Sequence, residues 1–99
     1  MKQSPALTRE QAEGLAIQAL AYIAGDGERL GRFLAATGIG PAEIRSAARE
    51  PGFLVGVLDY MASDQRLMAG FANETGLDPA AIDKGRVALG GRPWEREMP

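Results

Sequence analysis

The side chains with chemical potential in this chain are carboxylates and guanidiniums: there are thirteen Asp and Glu, but no cysteine and no histidine. Without cysteine there is no thiolate ligand and no disulfide. Without histidine, the commonest general base and metal ligand is missing. The carboxylates fall where helices begin. Asp26, Asp64 and Asp78 each stand just before a helix-like stretch, where a side-chain oxygen accepts from backbone N–H groups. Glu10 and Glu13 fall in or near an opening turn, where negative charge complements the helix dipole. No nucleophile has an identifiable base, and no loop places oxygen ligands at alternating positions. The expectation is therefore no enzyme, with no catalytic residue, metal site or cofactor.

What remains is recognition. Arg45 and Arg49 lie four apart on one helical face, with Arg29 and Arg32 on the preceding helix. Together they offer a small docking site for an acidic partner, or a solvated face neutralised by Glu43 and Glu50. Trp94, alone in a charged C-terminal stretch, either docks back on the helices or meets a partner, since burying its ring is worth a few kcal/mol. The step Gly38-Ile39-Gly40-Pro41 resembles the hairpin of the helix-hairpin-helix DNA-binding motif. That resemblance implies that backbone N–H groups near Gly38 and Gly40 contact a phosphate. Three features depart from it: position 42 is alanine, the second copy of the turn replaces Gly40 with Asp78, and no basic stripe follows. As ordinary helix punctuation, Gly38 and Gly76 end helices while Pro41 and Pro79 start them.

A second copy of the turn exists because the chain repeats. A shift of 38 positions carries Thr37-Gly38-Ile39-Gly40-Pro41-Ala42-Glu43-Ile44 onto Thr75-Gly76-Leu77-Asp78-Pro79-Ala80-Ala81-Ile82. The same shift pairs Tyr22 with Tyr60, Asp26 with Asp64 and Phe33 with Phe71. A fixed period of this size marks a supersecondary unit that cannot bury its apolar face alone.

Within the first unit, Thr8 and Gln11 form a capping-box signature. Ala12, Leu15, Ala16, Ala19, Leu20 and Ile23 then line one helical face up to Gly25, expected to be a left-handed exit. The second helix runs from Asp26 to Gly38 around Leu30, Phe33 and Leu34, and a short third helix from Pro41 carries Ile44, Ala47 and Ala48 inward. The second unit begins at Pro51. Its first helix, with Phe53, Leu54, Val57, Leu58 and Met61 inward, is apolar on nearly every side and belongs in the middle. Asp64 caps the next helix, bearing Leu67, Met68 and Phe71; Asp78-Pro79 opens the last, with Ile82 and Leu89. Gly14, Gly31, Gly56 and Gly70 fall inside these helices, and Gly56 is the expected point of close helix approach.

The predicted fold is all-α: a compact bundle of about six short helices, built from two copies of a three-helix unit about a pseudo-two-fold axis. The 99 residues suit one domain, with repeats over 8–50 and 51–91, a flexible tail at 1–7 and a C-terminal tail at 92–99. Eleven basic residues leave a net charge of −2, unlike a strong phosphate-backbone binder. The most apolar run, Phe53 to Met61, is interrupted by Asp59 and is too short to span a membrane. Met1 to Pro5 is polar and unlike a secretory signal, so a cytoplasmic setting is expected.

The Gly-apolar-x-Pro helix ends, the Pro51-Gly52-Phe53-Leu54 start with Leu58-Asp59 beyond it, and the closing Gly76-Leu77-Asp78-Pro79 and Ala88-Leu89-Gly90-Gly91 have a further meaning. Together they resemble a family of small all-helical proteins of unknown function from alphaproteobacteria. The resemblance runs from about Thr8 to Gly91 and implies a helical fold in a bacterial cytoplasm; it implies no reaction and assigns no residue a role. Gly40 and Glu50 stand where such members are expected to carry aspartate. The leading functional expectation is a non-enzymatic protein-interaction module that binds an unknown protein partner or itself, with a half-exposed apolar groove between the copies as one way to take a partner helix. The alternative is a weak nucleic-acid binder using the Gly38-Ile39-Gly40 turn.

Overall fold

In the computed structural model, which describes residues 7–90, Thr8 opens the first helix with the reciprocal bonds that its spacing predicts. The Thr8 N–H donates to Gln11 Oε1 at 2.9 Å, and the Gln11 N–H donates to Thr8 Oγ1 at 3.0 Å. Six α-helices follow: α1 (Arg9–Ala24), α2 (Gly27–Thr37), α3 (Ile44–Ala47), α4 (Pro51–Ala62), α5 (Gln65–Thr75) and α6 (Ala80–Ala88). No strand occurs among the described residues, and no helix there is long and apolar enough to cross a membrane. Trp94 and the rest of the expected C-terminal tail lie outside the described residues, as do residues 1–6. Leu7 is half-buried and packs on the core.

The same devices punctuate both helical hairpins. Asp26 Oδ2 accepts from the Arg29 N–H at 3.0 Å, and Asp64 Oδ1 accepts from the N–H groups of Arg66 and Leu67 at 3.1 Å each. At the far ends Gly38 and Gly76 both adopt φ 76°, a left-handed conformation that a Cβ would strain. Their N–H groups donate to Leu34 O and Ala72 O, each at 2.8 Å. Thr37 and Thr75 hydroxyls donate back to Phe33 O and Phe71 O at 2.9 and 2.7 Å. Gly25 does not follow the left-handed expectation. It stays in the right-handed region at φ −74°, because a single residue separates it from the next helix and its N–H already bonds back into α1.

The third elements of the two halves differ. Pro41–Glu43 form one 3-10 turn ahead of the single-turn α3, and neither buries a residue. α6 is nine residues long and buries Ile82 and Gly85. The 38-residue shift carries Ala47 onto Gly85 and Pro51 onto Leu89, which supplies a reason. A proline disfavours helical geometry at the residue before it, and Glu50 is extended at ψ 122°. The first-half helix is thus cut short where its counterpart continues to the buried Leu89.

α1, α4 and α6 pack on one another, with α2 laid on α1 and α5 on α4. α1 contributes Ala12, Leu15, Ala16, Ala19, Leu20 and Ile23, the six positions its periodicity marks. α4 contributes Leu54, Val57, Leu58 and Met61, in keeping with its apolar circumference. α2 and α5 each bury one side chain, Phe33 and Phe71, where a broader stripe was expected. Each phenylalanine meets a tyrosine from the other hairpin. Tyr60 stands edge-on to Phe33 at 5.1 Å between ring centroids, and Tyr22 edge-on to Phe71 at 5.5 Å. Such pairs add about 0.5–1.5 kcal/mol beyond the area they bury.

Close helix approach occurs at Gly85, not at Gly56. A Cβ on Gly85 would lie 2.9 Å from Leu58 Cδ1 and 3.2 Å from Leu15 Cδ2, both on buried side chains. A Cβ on Gly56 would meet nothing within 4 Å. The two glycines should therefore respond oppositely to alanine in urea denaturation. Gly85→Ala should lose about 1–2 kcal/mol, since overpacking outweighs the helix-propensity gain. Gly56→Ala should gain about 0.5–1 kcal/mol. A stabilised Gly85→Ala would show that the α1–α4–α6 seam is looser than described.

Candidate functional site

The two hairpins face each other across a cleft of about 350 Å³, and the residues on its walls are tyrosines and arginines. Tyr22, near the end of α1, and Tyr60, near the end of α4, form part of the lining; both are half-buried. α2 adds Arg29 and Arg32, while Asp64, Arg66 and Leu67 come from the start of α5. The cleft between these two hairpins is cationic and aromatic; an apolar groove between the halves lies elsewhere, beside α1.

Each cleft arginine is held differently. Arg29 donates through Nε and Nη2 to Tyr22 O, at 3.1 and 2.8 Å, and its guanidinium lies 3.9 Å from the Tyr22 ring centroid. Two hydrogen bonds and a cation–π contact fix its direction. Arg32 reaches only Glu28, at 4.0 Å on a largely exposed helix face, a pair of little energetic weight. The Arg66 guanidinium has no partner among the described residues. The single carboxylate on the walls, Asp64, is engaged as the cap of α5. The walls carry three cationic groups against one anion, with Glu28 beside Arg32 at their margin, in a chain whose net charge is −2.

Gly70 explains how Tyr22 fits. Its missing side chain leaves room for the Tyr22 hydroxyl, which a Cβ at that position would overlap, whereas the ring carbon Cζ would stay at 3.5 Å. The equivalent position in the first half, 38 residues earlier, is Arg32. One hairpin therefore receives a tyrosine where the other offers a cation.

The residues singled out from sequence are distributed as follows. Arg29 and Arg32 join Arg66, not Arg45 and Arg49, which are exposed on and beside α3 and do not line the cleft. Trp94 lies outside the described residues. In the Gly38–Gly40 turn every N–H has an acceptor: Gly38 donates to Leu34 O, Ile39 to Thr37 Oγ1 at 3.4 Å, and Gly40 to Glu43 Oε1 at 3.1 Å. No three acidic side chains among the described residues gather to hold a metal ion. A second groove, about 440 Å³ and mostly apolar, runs beside α1 between Leu7, Gly14, Leu15, Leu77 and Ala81. Arg66 and the tyrosines escaped the sequence reading as site residues. The available signal was the recurrence of tyrosine two residues before the end of a helix in both halves.

Among the described residues, six helices around a small apolar core, with a charged cleft between two hairpins, define a small all-helical protein. Residues 9–92 match the model of a family described as "Protein of unknown function (DUF3572)", and the chain belongs to that family. No curated protein and no solved structure matches it.

A double-mutant cycle tests the Gly70–Tyr22 fit. In the Tyr22→Phe background, Gly70→Ala should raise stability by about 0.5–1 kcal/mol, the ordinary helix-interior gain. With Tyr22 intact the same change should give no gain or a loss, a coupling of at least about 0.5 kcal/mol. Equal effects in both backgrounds would mean that the hydroxyl does not occupy the glycine's space.

Proposed function

We propose that this protein is a non-enzymatic interaction module that docks an acidic segment of a partner protein in the tyrosine–arginine cleft. The observation that carries this reading is the local excess of positive charge, held on two hairpins and fixed at one end by Arg29 on Tyr22. Like charges brought together oppose folding, so their accumulation in a chain of opposite net sign is a cost that a bound anion would offset. Two half-buried tyrosines beside them supply rigid contact area of the kind enriched at binding hot spots. The recurring caps, the paired Gly38 and Gly76 exits and the crossed tyrosine–phenylalanine contacts support the further view that the hairpins are copies of one ancestral unit about an approximate two-fold axis, with the third elements having diverged. A bacterial cytoplasmic setting, taken from the family resemblance, belongs to the same reading.

The nucleic-acid alternative has less support, because the turn that would hold a phosphate already spends its amides on acceptors within the chain. Fluorescence anisotropy with a labelled Asp/Glu-rich peptide at low ionic strength tests the proposal. Binding should weaken as salt rises and should fall about tenfold in Arg66→Ala, the loss expected for one charge-assisted hydrogen bond. A peptide that fails to bind, or that binds Arg66→Ala equally well, would overturn the proposal. Duplex DNA binding more tightly than the peptide would favour the alternative.

A further inference from the structure

The geometry points to a doubly charged phosphate ester, carried on a side chain of the partner segment, as the group that the cleft selects. This rests on the cleft being the docking site and deepens that reading. Three features of the walls distinguish a phosphate from a lone carboxylate.

The first is charge. On the walls, Arg29, Arg32 and Arg66 against Asp64 leave about +2 once Arg32 turns from Glu28 to the ligand, which a phosphate monoester neutralises with its charge of about −1.5 to −2 near pH 7. A single carboxylate would leave half of that excess in place. The second is the direction of approach. Arg29 and Arg32 come from α2 and Arg66 from α5, on opposite hairpins. A planar carboxylate is well served by one guanidinium fork; a tetrahedral phosphate presents three oxygens and can be gripped from more than one side. The third is space. The cleft volume of about 350 Å³ is roughly ten times a water molecule's ~30 Å³ share of liquid. It has room for the five heavy atoms of the phosphate and for the side chain that carries them, alongside Tyr22, Tyr60 and Leu67.

The roles of the three arginines follow from their restraints. Arg29, already bonded to Tyr22 O and stacked on its ring, is a fixed end. Arg66 has no partner to release among the described residues, and Arg32 would exchange a 4.0 Å contact with Glu28 for the ligand. Binding therefore requires little rearrangement of existing bonds. Asp64 stays on the N–H groups of Arg66 and Leu67 as the cap of α5.

The test uses the full chain and three probes: one peptide carrying a single phosphoserine, the same peptide with glutamate in its place, and inorganic phosphate. Isothermal titration should show the phosphopeptide binding at least tenfold more tightly than the glutamate peptide and than free phosphate. The double variant Arg32→Ala/Arg66→Ala should abolish that preference while circular dichroism shows its helices intact, since both side chains are exposed. Arg66→Lys should recover part of it. Equal affinity for the phosphoserine and glutamate peptides would overturn the phosphate selection while leaving an acidic-partner cleft standing. Free phosphate binding as tightly as the peptide would overturn the protein-borne source. If neither peptide binds, the docking reading falls with it.

Discussion

Phe33 and Phe71 are the only side chains that α2 and α5 bury, and each is gripped by a tyrosine belonging to the opposite hairpin. That crossing is the constraint on which the rest depends. An eleven-residue helix with one buried anchor is marginal by itself, since short isolated helices lack the packing that stabilises them. Here the anchor of α2 is completed by Tyr60 from α4, and the anchor of α5 by Tyr22 from α1. Neither hairpin can finish its core without the other. Truncating a buried phenylalanine typically costs about 3–5 kcal/mol, against a total of about 5–15 kcal/mol for a domain. Two such anchors therefore account for much of what keeps the hairpins in register.

The same crossing builds the cleft. Because Tyr22 and Tyr60 reach inward across the boundary, the helices that follow them bring their exposed faces into opposition. Arg29 and Arg32 on α2 then face the Arg66 end of α5. Tyr22 serves both purposes: its ring meets Phe71 in a T-shaped contact and carries Arg29, and its carbonyl holds the same guanidinium. Gly70 makes this possible by leaving space for its hydroxyl. Core packing and the cleft wall are thus coupled through one aromatic residue, whereas α6 contributes chiefly to the core, closing it through Gly85 and adding the Arg86–Asp59 bond at 2.6 Å between α6 and α4.

What could be read from the sequence was local. The Thr8 box, the Asp26 and Asp64 caps and the Gly38 and Gly76 exits depend on residues within four positions of one another, and the buried face of α1 follows from its own periodicity. What could not be read depends on which surfaces meet. Gly56 and Gly85 are both glycines in helical segments, and only the packing of α6 against Leu15 and Leu58 distinguishes them. Arg66 lies more than thirty positions from Arg29 and Arg32, and nothing in its neighbourhood announces that they share a cleft. The third elements illustrate the same limit: Ile44 and Ile82 look equivalent until Pro51 cuts one helix short and the other runs on to Ala88, just ahead of the buried Leu89.

The interdependence of the hairpins is tested most directly by amide hydrogen exchange on Phe33→Ala, read helix by helix against the unaltered chain. Phe33 sits on α2, but it is clasped by Tyr60 of α4. The account predicts that protection falls in α4 and α5 as well as in α1 and α2, because the loss spreads through the crossed contact as a cooperative unit. Protection lost from α2 alone, with α4 and α5 unchanged, would contradict it.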